Sequence, residues 1–204
     1  AIGSLSVPAQ AQVDIRPGLK GGVNLASLGG DDAEELIPDE FAEGRTGFTA
    51  GAFLVIDFGG MVALQPEVVY AQKGDKAEVS IGGQSASSTV KLDYVEVPVL
   101  ARFSFPLDGR ITPYVLAGPS VGFNINAETE DEDSSSGTST TDISDNVSTT
   151  DFGLQGGAGV DVEISESAVL SVDARYEAGL TSVVDSDEVD IQNRGIRISV
   201  GIGF

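Results

Sequence analysis

The residues able to do ionic or acid–base chemistry fall two or a few even steps apart within short segments of this 204-residue chain. Asp173, Arg175 and Glu177 alternate, as do Asp161 and Glu163. Arg16 with Lys20, and Glu96 with Arg102, are separated by even numbers of residues, and Glu67 and Arg197 lie in segments of the same kind. Even spacing puts side chains on one face of an extended strand. Two carboxylates flanking an arginine, as Asp173 and Glu177 flank Arg175, offer either an acid–base couple or an ion-paired cluster. Pairing on both sides keeps carboxylates ionised rather than poised for proton transfer, so the structural reading is favoured. The chain contains no His and no Cys. That removes the usual general base, the Ser/His/Asp triad, thiolate metal sites and disulfides. It also removes the outer-membrane barrel enzymes that depend on a catalytic histidine. No catalytic residue, cofactor or metal site is assigned.

The elements that must position these charges are strands. In Ala168 to Leu180, Leu170, Val172, Ala174, Tyr176, Ala178 and Leu180 share one face, while Ser171, Asp173, Arg175, Glu177 and Gly179 share the other. Ile196 to Phe204, Phe152 to Ile164 and Ile111 to Asn126 repeat the period of two, and weaker versions run through Arg16–Ala26, Gly47–Asp57, Met61–Lys73 and Thr89–Ser104. Eight strands are predicted. Connections 27–46, 74–88, 127–151 and 181–190 are long and polar, whereas 58–60, 105–110 and 165–167 are short. In an up-and-down array all long loops then emerge at one end, the asymmetry of outer-membrane barrels. The predicted fold is therefore all-β, an eight-stranded antiparallel up-and-down transmembrane β-barrel with long acidic extracellular loops.

Charge and glycine decide which face points inward. The four long connections hold 21 of the 32 acidic residues and only Arg45 and Lys76 as bases, so most of the net charge of −21 lies there. The strands are nearly balanced. Glycines such as Gly18, Gly22, Gly51, Gly118, Gly157 and Gly201 fall on the polar faces, where they make room at the axis of a narrow barrel and would gain nothing in solvent. The polar face is therefore placed inward. Arg16, Lys20, Glu67, Glu96, Arg102, Asp161, Glu163, Asp173, Arg175, Glu177 and Arg197 are predicted to form a charge network that plugs the lumen. Phe58, Phe103, Phe105, Tyr114 and Phe204 are expected to form one aromatic belt, and Phe48, Tyr70, Phe123, Phe152 and Tyr176 the other. Pro66, Pro98, Pro113 and Pro119 fall inside strands, where bulges are expected.

Two further expectations concern the ends and loops. Residues 1–11, closing on Ala9-Gln10-Ala11, have the small-x-small form of a signal-peptide remnant, with the barrel domain spanning 12–204. Segment 127–150 is low in complexity, lacks an apolar cluster, and is expected to stay mobile. Within it Asp131, Asp133, Ser135 and Asp142 partly follow a Ca²⁺-loop spacing. Ser136 stands where that loop needs glycine, so loose cation attraction by acidic loops is the expectation. The acidity argues against nucleic-acid binding.

The segments LQPEVVYAQKGDK (Leu64–Lys76), LDYVEVPVLARF (Leu92–Phe103), YVLAGPSVGF (Tyr114–Phe123), DFGLQGGAGVDVE (Asp151–Glu163), LSVDARYEAGL (Leu170–Leu180) and RISVGIGF (Arg197–Phe204), with GLKGGVNLASL (Gly18–Leu28), resemble the PorT-like outer-membrane β-barrel family of the Bacteroidetes group. The resemblance implies an eight-stranded barrel in the outer membrane, with lipid and the barrel-assembly machinery as partners and Phe204 as the C-terminal assembly signal. It implies no defined activity. A monomer with a structural or surface-interaction role is the leading expectation. A narrow channel or secretion-accessory barrel is the first alternative, and a soluble lipocalin-like ligand binder the second. Strong acidity with only four Lys against seven Arg further suggests a halophilic, high-salt source.

Overall fold

A computed structural model describes residues 13–29, 44–81, 84–133, 137–183 and 191–204. The proposed signal-peptide remnant, residues 1–11, lies outside the described residues, as do all the acidic residues of 27–46 and 181–190. The chain forms β1 (Asp14–Gly29), β2 (Arg45–Asp57), β3 (Val62–Ile81), β4 (Gln84–Ser104), β5 (Ile111–Asp133), β6 (Gly137–Asp142), β7 (Thr150–Ser165), β8 (Ala168–Gly179) and β9 (Gln192–Gly203). Every pairing is antiparallel, and the order β4-β3-β2-β1-β9-β8-β7-β5 closes through a β4–β5 pairing. Eight strands thus form a closed barrel, and β6 stands outside it, paired with β5 alone among the described strands.

The alternation becomes two environments. Val172, Tyr176 and Ile198 are 38%, 53% and 44% exposed, whereas Arg175 and Arg197 are 1% and 0% exposed. The apolar residues form the outer wall and the ionic residues the interior, the reverse of a soluble barrel. A soluble lipocalin-like protein, which hides its apolar face, is incompatible with this arrangement. Inward glycines are required by close approach. A Cβ at Gly157 would run into the carbonyl oxygen of Ala174 and stand 2.7 Å from the Arg175 Cα, and one at Gly22 would meet the backbone of Ile198 and Ser199. At the closed end, Gly59 and Gly60 take φ of 88° and 86° in the turn between β2 and β3, a conformation that suits glycine.

Three expectations need correction. Segments 74–88 and 127–150 are not free loops. β3 and β4 continue to Ile81 and Gln84, and β5 and β6 pair from Glu128–Asp142 to Asp133–Gly137, so the ladders rise beyond the barrel as a four-stranded extension. Nor does 127–150 lack packing groups. Ile143 and Val147 lie against Leu92, Tyr94 and Ala127, because a 3₁₀ turn at Ser144–Asn146 folds the chain back over the mouth. Finally, the register shifts fall at Asp93/Tyr94 and Glu163/Ser165, not at the prolines. A strand residue points its amide at one neighbour only, so a proline interrupts one ladder and leaves the register intact.

Candidate functional site: the ion-paired lumen

The interior is built in levels from residues that alternate along different strands. Nearest the short turns, the Asp161 carboxylate accepts from Arg16 at 3.0 Å, Arg102 at 2.6 Å and the Ser171 hydroxyl at 2.7 Å. Arg102 also donates to Gln65 Oε1 at 3.0 Å and stacks over the Tyr114 ring, 3.5 Å from its centroid. In the next level Arg175 grips Glu67 with both terminal nitrogens, at 3.1 and 2.9 Å, and donates its Nε to Asp173 at 2.6 Å. Lys20 lies 3.3 Å from Glu67 and 3.6 Å from Asp173. Above this, Arg197 bridges Glu96 at 2.6 Å and Glu177 at 2.9 Å, and Lys73 pairs with the same two carboxylates at 2.5 and 3.5 Å.

The extracellular end is closed by a mixed cap. Asn193 donates to Asp151 at 2.8 Å and to the Tyr94 hydroxyl at 3.3 Å, while Thr181 donates to Asp151 at 3.1 Å. Over them lies the cluster of Leu92, Tyr94 and Ala127 with Ile143 and Val147. The fold-back is pinned by the Ile143 amide donating to the Ala127 carbonyl at 3.0 Å and the Ser148 amide donating to the Val183 carbonyl at 2.9 Å. In the same connection, outside the wall, the Ser144 amide donates to the Asp142 carboxylate at 2.9 Å and holds its pKa below the usual aspartate range.

Of the eleven residues singled out for the lumen, ten come together inside it. Glu163 does not. It is exposed at the turn end of β7, where its amide donates to the Arg110 carbonyl, because the register shift beside Ser165 ends the regular alternation there. The Asp173–Arg175–Glu177 triplet is also split: Arg175 takes Asp173 and reaches across to Glu67, while Glu177 belongs to Arg197 and Lys73. Tyr114 is 1% exposed inside the barrel and is no part of the belt assigned to it. Sequence reasoning missed Lys73, Gln65 and Asp151. Lys73 and Gln65 share the parity of Glu67 on β3, and that parity was the available signal. Asp151 was counted with a loop because the reach of β7 depends on its pairing with β5.

The levels described balance six cations (Arg16, Lys20, Lys73, Arg102, Arg175, Arg197) against six carboxylates (Glu67, Glu96, Asp151, Asp161, Asp173, Glu177). The space left between Lys73, Glu96, Asp151 and Glu177 is about 10 Å³, room for about one water. Among the described residues no group of three or more His, Cys, Asp or Glu could hold a metal ion. Asp131 and Asp142, read above as parts of a cation loop, face Ser139 and Glu128, three rungs apart on a ladder. The arrangement fills and rigidifies the lumen.

A closed barrel with an apolar wall and an ionic interior agrees with what sequence comparison finds. Residues 9–185 match the family described as outer membrane protein beta-barrel domain. The chain belongs to this family. It is an outer-membrane protein. No curated protein sequence matches it. Among solved structures, Neisserial surface protein A aligns over 95% of this chain and 99% of its own, with 14% identity and a TM-score of 0.53. OprG from Pseudomonas aeruginosa aligns over 94% of both chains, with 12% identity and a TM-score of 0.49. Ail of Yersinia pestis aligns over 93% of this chain and 98% of its own, with 16% identity and a TM-score of 0.44. At these identities the likeness to Neisserial surface protein A is one of fold.

Proposed function

We propose that this protein is a monomeric, non-enzymatic outer-membrane barrel that acts through its outer surfaces, with a structural or surface-interaction role, and that its lumen does not conduct. The observation that carries this reading is the lumen itself. Three ion-paired levels and an apolar cap occupy the axis, and the broken pairings that would open a path are costly, on the order of 3 to 5 kcal/mol for removal of one buried partner. What remains for a partner is the extension formed by β3, β4, β5 and β6. Its outermost strand, β6, is exposed along its whole length. On the neighbouring strand Glu128, Glu130 and Glu132 share a face, with Lys91 pairing Glu130 at 2.7 Å. Such a surface attracts cationic partners and loosely held cations. The seven ordered segments quoted above support placing the chain among the PorT-like barrels, with Phe204 as the residue read by the assembly machinery.

Reconstitution in planar bilayers tests the reading: the expected record shows no steady openings, and a stable unit conductance would overturn it. A narrow channel or secretion-accessory barrel is the second reading. It draws on Gln155, Ser199 and Arg197, whose buried Nε2, Oε1, Oγ and Nη1 atoms have no hydrogen-bond partner in the protein and mark where lumen water would bind.

A further inference from the structure

One row of the wall is depleted in hydrogen bonds. Pro17 faces Leu54, and the β2–β3 register brings Leu54 level with Pro66. Pro66 faces Val99, the β4–β5 register brings Val99 level with Pro119, and Pro119 faces Leu154. Three prolines thus occupy a single cross-strand row, with Pro98 one residue from it on β4. The ladders lapse accordingly: β2 with β3 at Leu54 and Val55, β3 with β4 at Glu67 and Val68, and β4 with β5 at Val99 and Leu100. Each proline lacks the amide hydrogen its neighbour would have accepted.

Over the first two of these lapses the outer wall carries a groove of about 420 Å³, within the range of about 300–1,000 Å³ typical of ligand pockets. Leu19, Ala52, Leu54, Pro66 and Val68 line it, Phe204 closes its periplasmic end, and Glu67 contributes to its floor. Behind that floor lies the Lys20–Glu67–Arg175 cluster. Leu19, Leu54 and Val68 are 59%, 40% and 54% exposed, so the groove is continuous with the hydrocarbon-facing wall. That continuity names the occupant. A second copy related by a two-fold axis would set the concavity against itself and leave a void. A hydrocarbon chain already present in the surrounding bilayer fills it.

We propose that the groove between β1 and β4 binds one acyl chain of a phospholipid in the periplasmic leaflet, and that this chain serves as the missing piece of wall over the proline-interrupted seam. The chain keeps water from the thin partition behind which Glu67 is paired. Small outward residues at Ala52 and Pro66 create the space, and larger ones around them hold the chain in register.

The test uses the full protein in phospholipid vesicles carrying a trace of phosphatidylethanolamine with a diazirine in one acyl chain. After illumination, peptide mapping is expected to find residues 17–19, 52–54 and 66–68 labelled several-fold more than Val115 and Ile198, which are 43% and 44% exposed on other parts of the wall. A52F fills the groove and is expected to abolish the preference. A174F, the same change at an exposed outward alanine on β8, is expected to leave it unchanged. Even labelling around the wild-type wall overturns the proposal even if A52F fails to insert. Labelling indifferent to A52F, or cross-links between two copies through the groove, overturns it as well.

Discussion

Arg175 shows how a single side chain holds the interior together. Within its level it joins Asp173 on its own strand to Glu67 more than a hundred residues away. Arg175→Ala leaves Lys20 as the remaining salt-bridge partner of both carboxylates among the described residues, and the expected cost is about 3–5 kcal/mol, read as a lower urea midpoint for unfolding from vesicles. Glycine contacts permit a sharper comparison on one strand. A Cβ at Gly157 collides with the backbone of β8, whereas one at Gly156 meets its nearest atom at 3.9 Å. Gly157→Ala should therefore impair assembly, and Gly156→Ala should leave the heat-modifiability of the barrel on gels unchanged. Parity and the glycines together placed eleven charges inside, and ten of them are there. The sequence could not say which pair with which, because partners on different strands are set by register and by reach across the axis.

At the scale of elements, the extension is held by fewer groups than the barrel. The fold-back over the mouth depends on Ile143 and Val147 against Leu92 and Tyr94. Replacing Ile143 with Asp inserts a charge into that cluster, and the expected result is faster protease cleavage within 134–150 with the barrel fragment still resistant. Cleavage no faster than in the wild type would show that strand pairing alone holds the segment. The Asp142 carboxylate, with its pKa lowered by the Ser144 amide, adds to this turn at pH above its unfolded value. The contribution fades as the pH falls through the lowered pKa, so the turn should loosen in acid. Sequence periodicity located the strands but not their upper ends. Thr, Ser and acidic residues read as loop because nothing apolar marks them, and only the pairing of β5 with β4 and β6 makes them strand.

For the whole molecule, two kinds of charge behave differently toward salt. The lumen pairs are buried and weakly screened, whereas the acidic surplus of a chain with net charge −21 lies largely in 27–46, 74–88, 127–151 and 181–190 and, Asp151 aside, outside the lumen clusters, and the Debye length in solvent falls from about 10 Å at 0.1 M to about 3 Å at 1 M salt. If the acidity is an adaptation to brine, the melting temperature should climb as salt approaches molar levels. A melting curve indifferent to salt would reject that adaptation while leaving the lumen network untouched.

By itself the sequence determined the eight strands of the barrel, their antiparallel order and the side of each that meets lipid, because a period of two with glycine and charge on one face admits few other closed folds. It determined the parity of Lys73 and Asp161 but not their partners. Only the tertiary structure decided that Glu163 leaves the lumen, that 128–133 pairs with 137–142 above the barrel, and that Pro17, Pro66 and Pro119 fall into one row. Each of these depends on how strands are shifted against one another. Register is a relation between residues distant in the chain, fixed when the barrel closes, and no local pattern carries it.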